Sequence, residues 1–362
     1  MAHMNSARIL TRKPCPLLRS WHGYERMTNT TKSKPFIRYK PHSTLSTSVS
    51  ATEMTHFASL ASSWWDPLGP SRILHLMNPL RHEFISSCLS ESLISPQQES
   101  HISSNKPGNN TETMSEWDSS CNNQNTGLDY LDIGCGGGIF AESLARTIPI
   151  SSSPPNTSSA VNARSLLAID PSPVMIEIAL SHARKDPTLY SHLVSSKFQY
   201  KNTSLEDLIT SSSTATVTTE NNPFPDATKR YDVITLFEVL EHVDPANCSP
   251  EQFLRTCLRL LKPGGWLIGS TIARTQLSYI INQVLAESPW PIGVVPKGTH
   301  QWDKFVNPEE LRGWAKGFRG NNGSPLLGNW KCIGAVYLPG MGWKLAAGVE
   351  SWGNYFWAMK RT

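Results

Sequence analysis

The sequence lacks paired cysteines, long apolar runs and a dense charge of either sign. Its seven cysteines are scattered and form no CxxC pair, so neither a disulfide scaffold nor a structural zinc site is expected, and a reducing compartment fits best. No stretch approaches the roughly 18 apolar residues of a transmembrane helix. Charged residues make up only 17% and hydrophobic residues 39% of the 362 residues, which indicates that part of the chain lies outside the core.

The small net charge conceals a basic N-terminal leader. The net charge of the whole chain is +4. Residues 1–50 hold nine Lys or Arg residues and one acidic residue, whereas residues 51–362 hold 24 basic and 28 acidic residues. The mildly acidic body argues against a nucleic-acid partner. The Arg-rich, Ser-rich and acid-poor leader predicts a mitochondrial transit peptide, cut between about residues 40 and 52; a disordered basic tail is the alternative.

The rest of the chain is predicted to form one elaborated domain over residues 51–362. Three polar stretches interrupt its patterned segments and are interpreted as loop inserts, near residues 90–127, 151–164 and 210–228. Upstream of the first insert, the aromatic-rich segment Thr55–Ile85 predicts two helices. The second is expected to be capped near Asn78, with Pro79 at its first position.

Strand and helix patterns alternate through the middle of the chain. The run YDVITLF at residues 231–237 is continuously apolar, as is typical of a strand buried on both faces. The alternation predicts an α/β fold with a mostly parallel sheet and helices on both faces. Near the end, Lys331–Leu338 and Ser351–Met359 predict an antiparallel terminal strand pair joined by a Gly-rich connection.

A glycine-rich turn carries the sharpest local signal. In LDIGCGGG, Gly134, Gly136 and Gly138 follow a strand that contains Asp132, and glycines there allow a tight bend and the close approach of a ligand. The GxGxG spacing and the preceding acid disfavour the pyrophosphate of a nicotinamide-dependent oxidoreductase and suit the cationic amino-acid end of S-adenosylmethionine. Asp170, at the end of the next strand, is placed to accept ribose hydroxyls. A purely structural turn is the alternative.

Several motifs together resemble the ubiquinone-biosynthesis O-methyltransferases. They are ASSWWDPLGP, HLMNPLRHEFI, LDIGCGGGIFAESLAR, FEVLEHV, LKPGGWLIGST and VPKGTHQWDKF. The resemblance runs from about Phe57 to Lys304 and implies a Rossmann-like class I S-adenosylmethionine-dependent methyltransferase with a seven-stranded sheet. It implies O-methylation of catechol-type hydroxyls on polyprenylated ubiquinone precursors, polyprenyl-dihydroxybenzoate and demethylubiquinol. With the leader, it points to the mitochondrial branch of the family.

The resemblance also implies cofactor contacts at matching positions. These are Arg81 in NPLR, Gly134 in the turn, Asp170, and Phe237, which stands where the family usually has Met. Arg81 offers a guanidinium fork to the carboxylate of the methionyl moiety; a surface salt bridge is the alternative. Phe237 still offers a flat apolar wall to adenine. Asp132 and Gly136 complete the expected cofactor-binding set.

Two acids and a histidine, Glu238, Glu241 and His242, follow the buried strand. On a helical turn this spacing would place them on one face, at the sheet edge where open α/β folds bind ligands. Two carboxylates and an imidazole suit Mg²⁺, and the resemblance supports magnesium there. Glu238 and His242 are therefore expected to be catalytic, with the metal ionising a catechol oxygen. The alternative is that the acids lie at a helix N-terminus, where they interact favourably with the helix dipole, and that His242 packs in the core or acts as a general base without a metal.

Apolar residues recur at helical spacing between Leu277 and Val295. This segment is expected to lie in a membrane interface or to roof the active site; an ordinary core helix is the alternative. A polyprenylated substrate favours peripheral attachment to the matrix side of the inner mitochondrial membrane, in a multi-enzyme ubiquinone-biosynthesis complex. His300 is a weaker candidate for a general base. Methylation of a small soluble acceptor, or a cofactor-binding assembly role, stay open as alternative functions.

Overall fold

The computed structural model describes part of the chain: residues 48–93, 127–150, 159–213, 229–280, 287, 301–320, 322–338 and 340–362. The predicted leader up to residue 47 lies outside these ranges, as does most of each predicted insert. His300 and most of the segment between Leu277 and Val295 also lie outside them. The predictions for these residues therefore stay predictions.

Helices and strands alternate along the described residues. The helices are α1 (Ala51–Leu60), α2 (Arg72–Leu93), α3 (Ile139–Ala145), α4 (Pro173–Ala183), α5 (Pro187–Val194), α6 (Leu205–Ser213), α7 (Pro250–Leu260), α8 (Gln276–Ser278) and α9 (Pro308–Gly317). The strands are β1 (Leu128–Ile133), β2 (Ala163–Asp170), β3 (Phe198–Asn202), β4 (Tyr231–Phe237), β5 (Leu261–Ile272), β6 (Leu327–Leu338), β7 (Gly342–Ala346) and β8 (Asn354–Arg361).

Within the described residues, eight strands form one sheet in the order β3-β2-β1-β4-β5-β8-β6-β7. The first five pair in parallel, and β8, β6 and β7 pair antiparallel. The expected Rossmann-like α/β fold is confirmed. The sheet has one strand more than the seven expected, because the Gly-rich connection between β6 and β8 itself forms β7, in register with β6 from Gly334 to Leu338.

The central strand β4 shows why the sheet is covered on both faces. Successive side chains of a strand point to opposite faces. Val233 and Phe237 join the apolar cluster that contains the side chains of α2 and α3. Ile234 and Leu236 join the second cluster, with the side chains of α7. An unbroken apolar run is thus required at this position, as the sequence pattern predicted.

Helix α2 is longer than the predicted helix. It begins at Arg72 and contains Pro79 in its interior, so the prediction of a helix start at Pro79 is wrong. The added turns bury Met77, and this packing outweighs the hydrogen bond that proline cannot donate. Asn78, the expected cap, instead donates to the Ile139 carbonyl (3.0 Å) and accepts from Arg81 Nη1 (2.9 Å).

The segment before α1 is tied to the loop that follows β4. Val49 forms an antiparallel bridge with Val243, and the Asp244 N–H donates to the Ser48 carbonyl (2.7 Å). The Ser50 side chain caps α1 by accepting from the Glu53 N–H. These contacts bring α1 to the carboxyl edge of the parallel strands.

We expect Gly269→Ala in β5 to lower the free energy of unfolding by about 1–3 kcal/mol. A Cβ atom there would lie 2.4 Å from Trp357 Cζ2 and 2.6 Å from the Leu236 carbonyl oxygen. The matched control is Gly313→Ala in α9, where no atom lies within 4 Å of an added Cβ. Because Ala is the better helix former, this change should be neutral or stabilising by up to about 1 kcal/mol. Urea unfolding compares the two, and equal midpoints would contradict the packing described.

Candidate active site

A cavity of about 610 Å³ lies at the carboxyl ends of the parallel strands, which is a usual size for a small-molecule site. Its lining combines the glycine-rich turn, the end of β4 and apolar side chains from both N-terminal helices and from the β6–β7 hairpin. The apolar lining includes Met54, Phe57, Leu74, Met77, Tyr337 and Trp343. All the predicted site residues, Arg81, Asp132, Gly134, Gly136, Asp170, Phe237, Glu238, Glu241 and His242, line this cavity.

The glycine-rich turn packs tightly against other parts of the protein. Gly134, Gly136 and Gly138 all have positive φ, the region that favours glycine. A Cβ atom at Gly134 would lie 2.7 Å from Val239 Cγ2, and one at Gly138 would lie 2.2 Å from the Tyr200 hydroxyl. The turn thus requires glycine because of its protein neighbours as well as its backbone.

Trp64 and Trp65, the adjacent tryptophans of the WWD motif, pack against this turn. A Cβ atom at Gly137 would lie 2.3 Å from Trp64 Cδ1, and one at Gly136 would lie 3.1 Å from Trp64 Cζ2. Trp65 donates its indole N–H to the Gly137 carbonyl (2.9 Å) and stacks on His182 at a ring distance of 3.5 Å. The motif therefore fixes the cavity wall above the turn.

Asp132 and Arg81 bring opposite charges into the cavity. Asp132 Oδ1 accepts from the Thr235 hydroxyl (2.7 Å), whereas its Oδ2 and the Nε of Arg81 are buried without a hydrogen-bond partner. Burial raises the pKa of Asp132 to about 7, against the hydrogen bond from Thr235 and the charge of Arg81. Burial lowers the pKa of Arg81 to about 10, against the charges of Glu238 and Asp132.

Asp170 and Phe237 also line the cavity. Asp170 accepts from the Gly136 N–H (2.9 Å) and the Ser172 N–H (2.8 Å), and burial raises its pKa to about 6. The Phe237 ring lies 5.1 Å from the Arg81 guanidinium carbon, within range of a cation–π contact. The structure thus places Phe237 as a neighbour of Arg81, and its expected contact with adenine stays a prediction.

Glu238, Glu241 and His242 do not share one helical face, so that part of the sequence prediction is wrong. Glu238 has φ +56°, and the single 3₁₀ turn that follows covers only Leu240–His242. The left-handed residue breaks the helical spacing that the prediction assumed. Glu238 turns back to the sheet, where it accepts from the Ser270 hydroxyl (2.6 Å) and the Asn354 amide (3.2 Å).

Glu241 is a buried acid beside Glu238. Its Oε2 accepts from the Thr271 hydroxyl (2.7 Å). Burial, followed by the charge of Glu238, raises the pKa of Glu241 well above its usual range. Over the residues that the structure describes, no group of three His, Cys, Asp or Glu side chains is arranged to hold a metal ion.

His242 points to a residue that the motifs did not mark. Its Nδ1 lies 3.2 Å from Glu53 Oε2, and Glu53 Oε1 lies 2.8 Å from Lys304 Nζ. Burial favours a higher pKa for Glu53, but His242 and Lys304 lower it to about 2. Sequence reasoning missed Glu53 because a single acid in a helix carries no local signal, and it named Lys304 only as the end of the region of resemblance.

Comparison with known proteins identifies the family. The family model described as "Methyltransferase domain" matches residues 105–318. Proteins named "Ubiquinone biosynthesis O-methyltransferase, mitochondrial" are similar to this chain. The one from Candida albicans is 34% identical and aligns over 87% of this chain and 86% of its own length. The one from Saccharomyces cerevisiae is 33% identical, over 87% and 89%. This chain belongs to the ubiquinone-biosynthesis O-methyltransferase family.

Other comparisons add detail. The mouse relative is 34% identical over 75% of this chain, which spans only 56% of the mouse protein. A solved structure of a possible histamine N-methyltransferase from Thermotoga maritima is 15% identical and covers 85% of this chain and 99% of its own, with a TM-score of 0.42. Membership of the ubiquinone-biosynthesis O-methyltransferase family confirms the expected enzyme class, an S-adenosylmethionine-dependent methyltransferase.

Proposed function

We propose that this family member transfers a methyl group from S-adenosylmethionine to a catechol-type hydroxyl of a polyprenylated ubiquinone precursor. One observation carries the proposal: Arg81 Nε and Asp132 Oδ2, of opposite charge, are both buried, unpartnered and in one cavity. Unpaired buried charges are costly unless a ligand completes them. The methionyl moiety offers a carboxylate to Arg81 and an ammonium to Asp132.

The rest of the cavity suits the other parts of the two substrates. Asp170 ends β2 next to the glycine-rich turn, the position from which an acid accepts ribose hydroxyls in related α/β sites. The apolar wall formed by Phe57, Leu74, Met77 and Trp343 matches an aromatic ring and the first part of an isoprenoid tail. The donor supplies an electrophilic methyl carbon when it is bound.

The residues of the chain prepare the acceptor oxygen. Glu238 and His242 line the cavity and are the proposed acceptors of the hydroxyl proton. The oxygen keeps the electron pair of the broken O–H bond and forms the new bond to carbon, while the pair of the broken S–C bond stays on sulfur. Holding the two reactants in line within one cavity would account for much of the expected rate.

Magnesium is proposed only at the pair Glu238 and Glu241. Two adjacent carboxyls, one of them with a strongly raised pKa, are the oxygen donors that Mg²⁺ prefers together with water. His242 is turned to Glu53 and does not complete a third ligand. The ion would neutralise the pair beside the acceptor.

We expect S-adenosylmethionine binding at pH 6.5 to release most of one proton. The pKa of Asp132 is about 7 in the free protein, and a bound ammonium group favours the ionised carboxylate. Calorimetry in two buffers of different ionisation enthalpy measures this release. Asp132→Asn should abolish it and weaken binding about tenfold or more. A binding enthalpy of the unaltered protein that does not depend on the buffer would contradict the proposed ammonium contact.

We expect Glu238→Gln to lower turnover by about a hundredfold or more while S-adenosylmethionine binding is nearly unchanged. The assay measures methyl transfer to polyprenyl-dihydroxybenzoate, to demethylubiquinol and to the same catechols without a tail. Equal kcat/KM with and without the tail would favour a small soluble acceptor.

Calorimetric titration with Mg²⁺ tests the Glu238–Glu241 pair, for which Glu241→Gln should abolish Mg²⁺ binding. Full activity with a chelator present would remove the metal from the reaction.

We also propose that the protein is mitochondrial, that its leader is a transit peptide, and that it attaches to the inner membrane on the matrix side within a biosynthetic complex. The side chains of Leu277, Tyr279 and Ile280, at the start of the predicted amphipathic segment, are exposed, as is that of Trp302. This exposure supports an interfacial contact. Among the described residues, no helix is long and apolar enough to cross a membrane.

Flotation with liposomes tests the membrane contact. Ile280→Asp should reduce the fraction recovered with liposomes of anionic phospholipid. The control Val194→Asp should leave this fraction unchanged. Val194 is also exposed, but it ends α5, which packs beside the edge strand β3 and not beside the proposed contact surface. Equal recovery of the two variants and the unaltered protein would contradict attachment through this surface.

A further inference from the structure

Glu53 is a buried carboxylate without a role in the proposed reaction so far. It lies in α1 and joins two other parts of the site: His242, in the turn after β4, and Lys304, in the 3₁₀ turn Trp302–Lys304. Its side chain is only 8% exposed. Buried carboxylates are retained where their charge is paired and hydrogen-bonded, and here one carboxylate is shared by a lysine and an imidazole.

The contact with Glu53 determines which ring nitrogen of His242 carries a proton. An ionised carboxylate only accepts hydrogen bonds, so the Nδ1 facing it must be the donor. In the neutral ring, Nε2 then keeps its lone pair. Phe57, one turn further along α1, packs edge-on against the His242 ring at 4.9 Å and 81°. Two side chains of α1 thus contact this imidazole, Glu53 at Nδ1 and Phe57 at the ring.

We propose that Glu53 is a positioning residue for methyl transfer, holding His242 as the Nδ1–H tautomer so that the Nε2 lone pair serves the reacting groups in the cavity. The role of His242 in the reaction rests on the function proposed above, whereas the carboxylate–imidazole contact does not. Helix α1 then supplies a residue on which the reaction depends. The bridge of Val49 to Val243 and the ion pair to Lys304 keep Glu53 in place.

Kinetics of the full-length protein separate positioning from simple support of the helix. We expect Glu53→Ala to lower kcat about tenfold to a hundredfold, with the KM and the dissociation constant for S-adenosylmethionine unchanged. Glu53→Gln, which keeps a neutral acceptor of the same size, should be intermediate. Lys304→Met removes the other partner of Glu53 and should have a much smaller effect. Thr52→Ala, at an exposed neighbour in α1, should have none.

A double-mutant cycle gives the sharper result. If Glu53 acts through His242, Glu53→Ala adds no further loss of kcat to His242→Asn. Additive losses, or equal losses in Glu53→Ala and Lys304→Met, would show that Glu53 only anchors α1 and would overturn the proposal.

The tautomer itself provides a readout that does not depend on activity. In ¹⁵N-histidine-labelled protein, the signals that His242→Asn removes identify His242. We expect a proton on Nδ1 in the unaltered protein and a changed tautomer balance in Glu53→Ala; an unchanged balance would overturn the proposal. A changed balance in a protein that methylates no catechol would support the Glu53–His242 contact and overturn the proposed function instead.

Discussion

The site depends on the burial of two opposite charges that do not satisfy each other. Arg81 comes from α2 and Asp132 from β1, and each keeps one polar atom without a hydrogen-bond partner in the same cavity. Burial moves the pKa of each group toward its neutral form. Such an arrangement is costly for the fold. We propose that a ligand with a carboxylate and an ammonium group, the amino-acid end of S-adenosylmethionine, accounts for it.

The N-terminal helices complete a site that the sheet alone leaves open. The parallel strands supply Asp132, Asp170 and the turn of glycines, as in other open α/β sheets. The tryptophans after α1 cover that turn, and α2 supplies Arg81. Glu53, in α1, reaches the imidazole of His242. In the proposed mechanism, cofactor binding and proton transfer therefore both depend on residues of a segment that precedes the sheet in the chain.

Much of the fold could be predicted because it depends on local patterns. The apolar run Tyr231–Phe237 matches β4 residue for residue, and the glycine-rich turn lies between β1 and α3 as expected. The separation of Glu238 from Glu241 and His242 could not be predicted, because it accompanies a left-handed backbone at Glu238 and contacts with Ser270 and Asn354, which lie far away in the sequence. Glu53 was missed for the same reason. Its partners lie 189 and 251 residues away along the chain, and no short-range pattern records such a contact.

The most direct test of the central claim is a crystal structure of the protein with S-adenosylhomocysteine, which has the same amino-acid end as the donor. The account predicts that the ligand carboxylate lies within hydrogen-bond distance of the Arg81 guanidinium and its ammonium within hydrogen-bond distance of Asp132 Oδ2. A ligand bound elsewhere in the cavity, with Arg81 Nε and Asp132 Oδ2 both still without a hydrogen-bond partner, would contradict it.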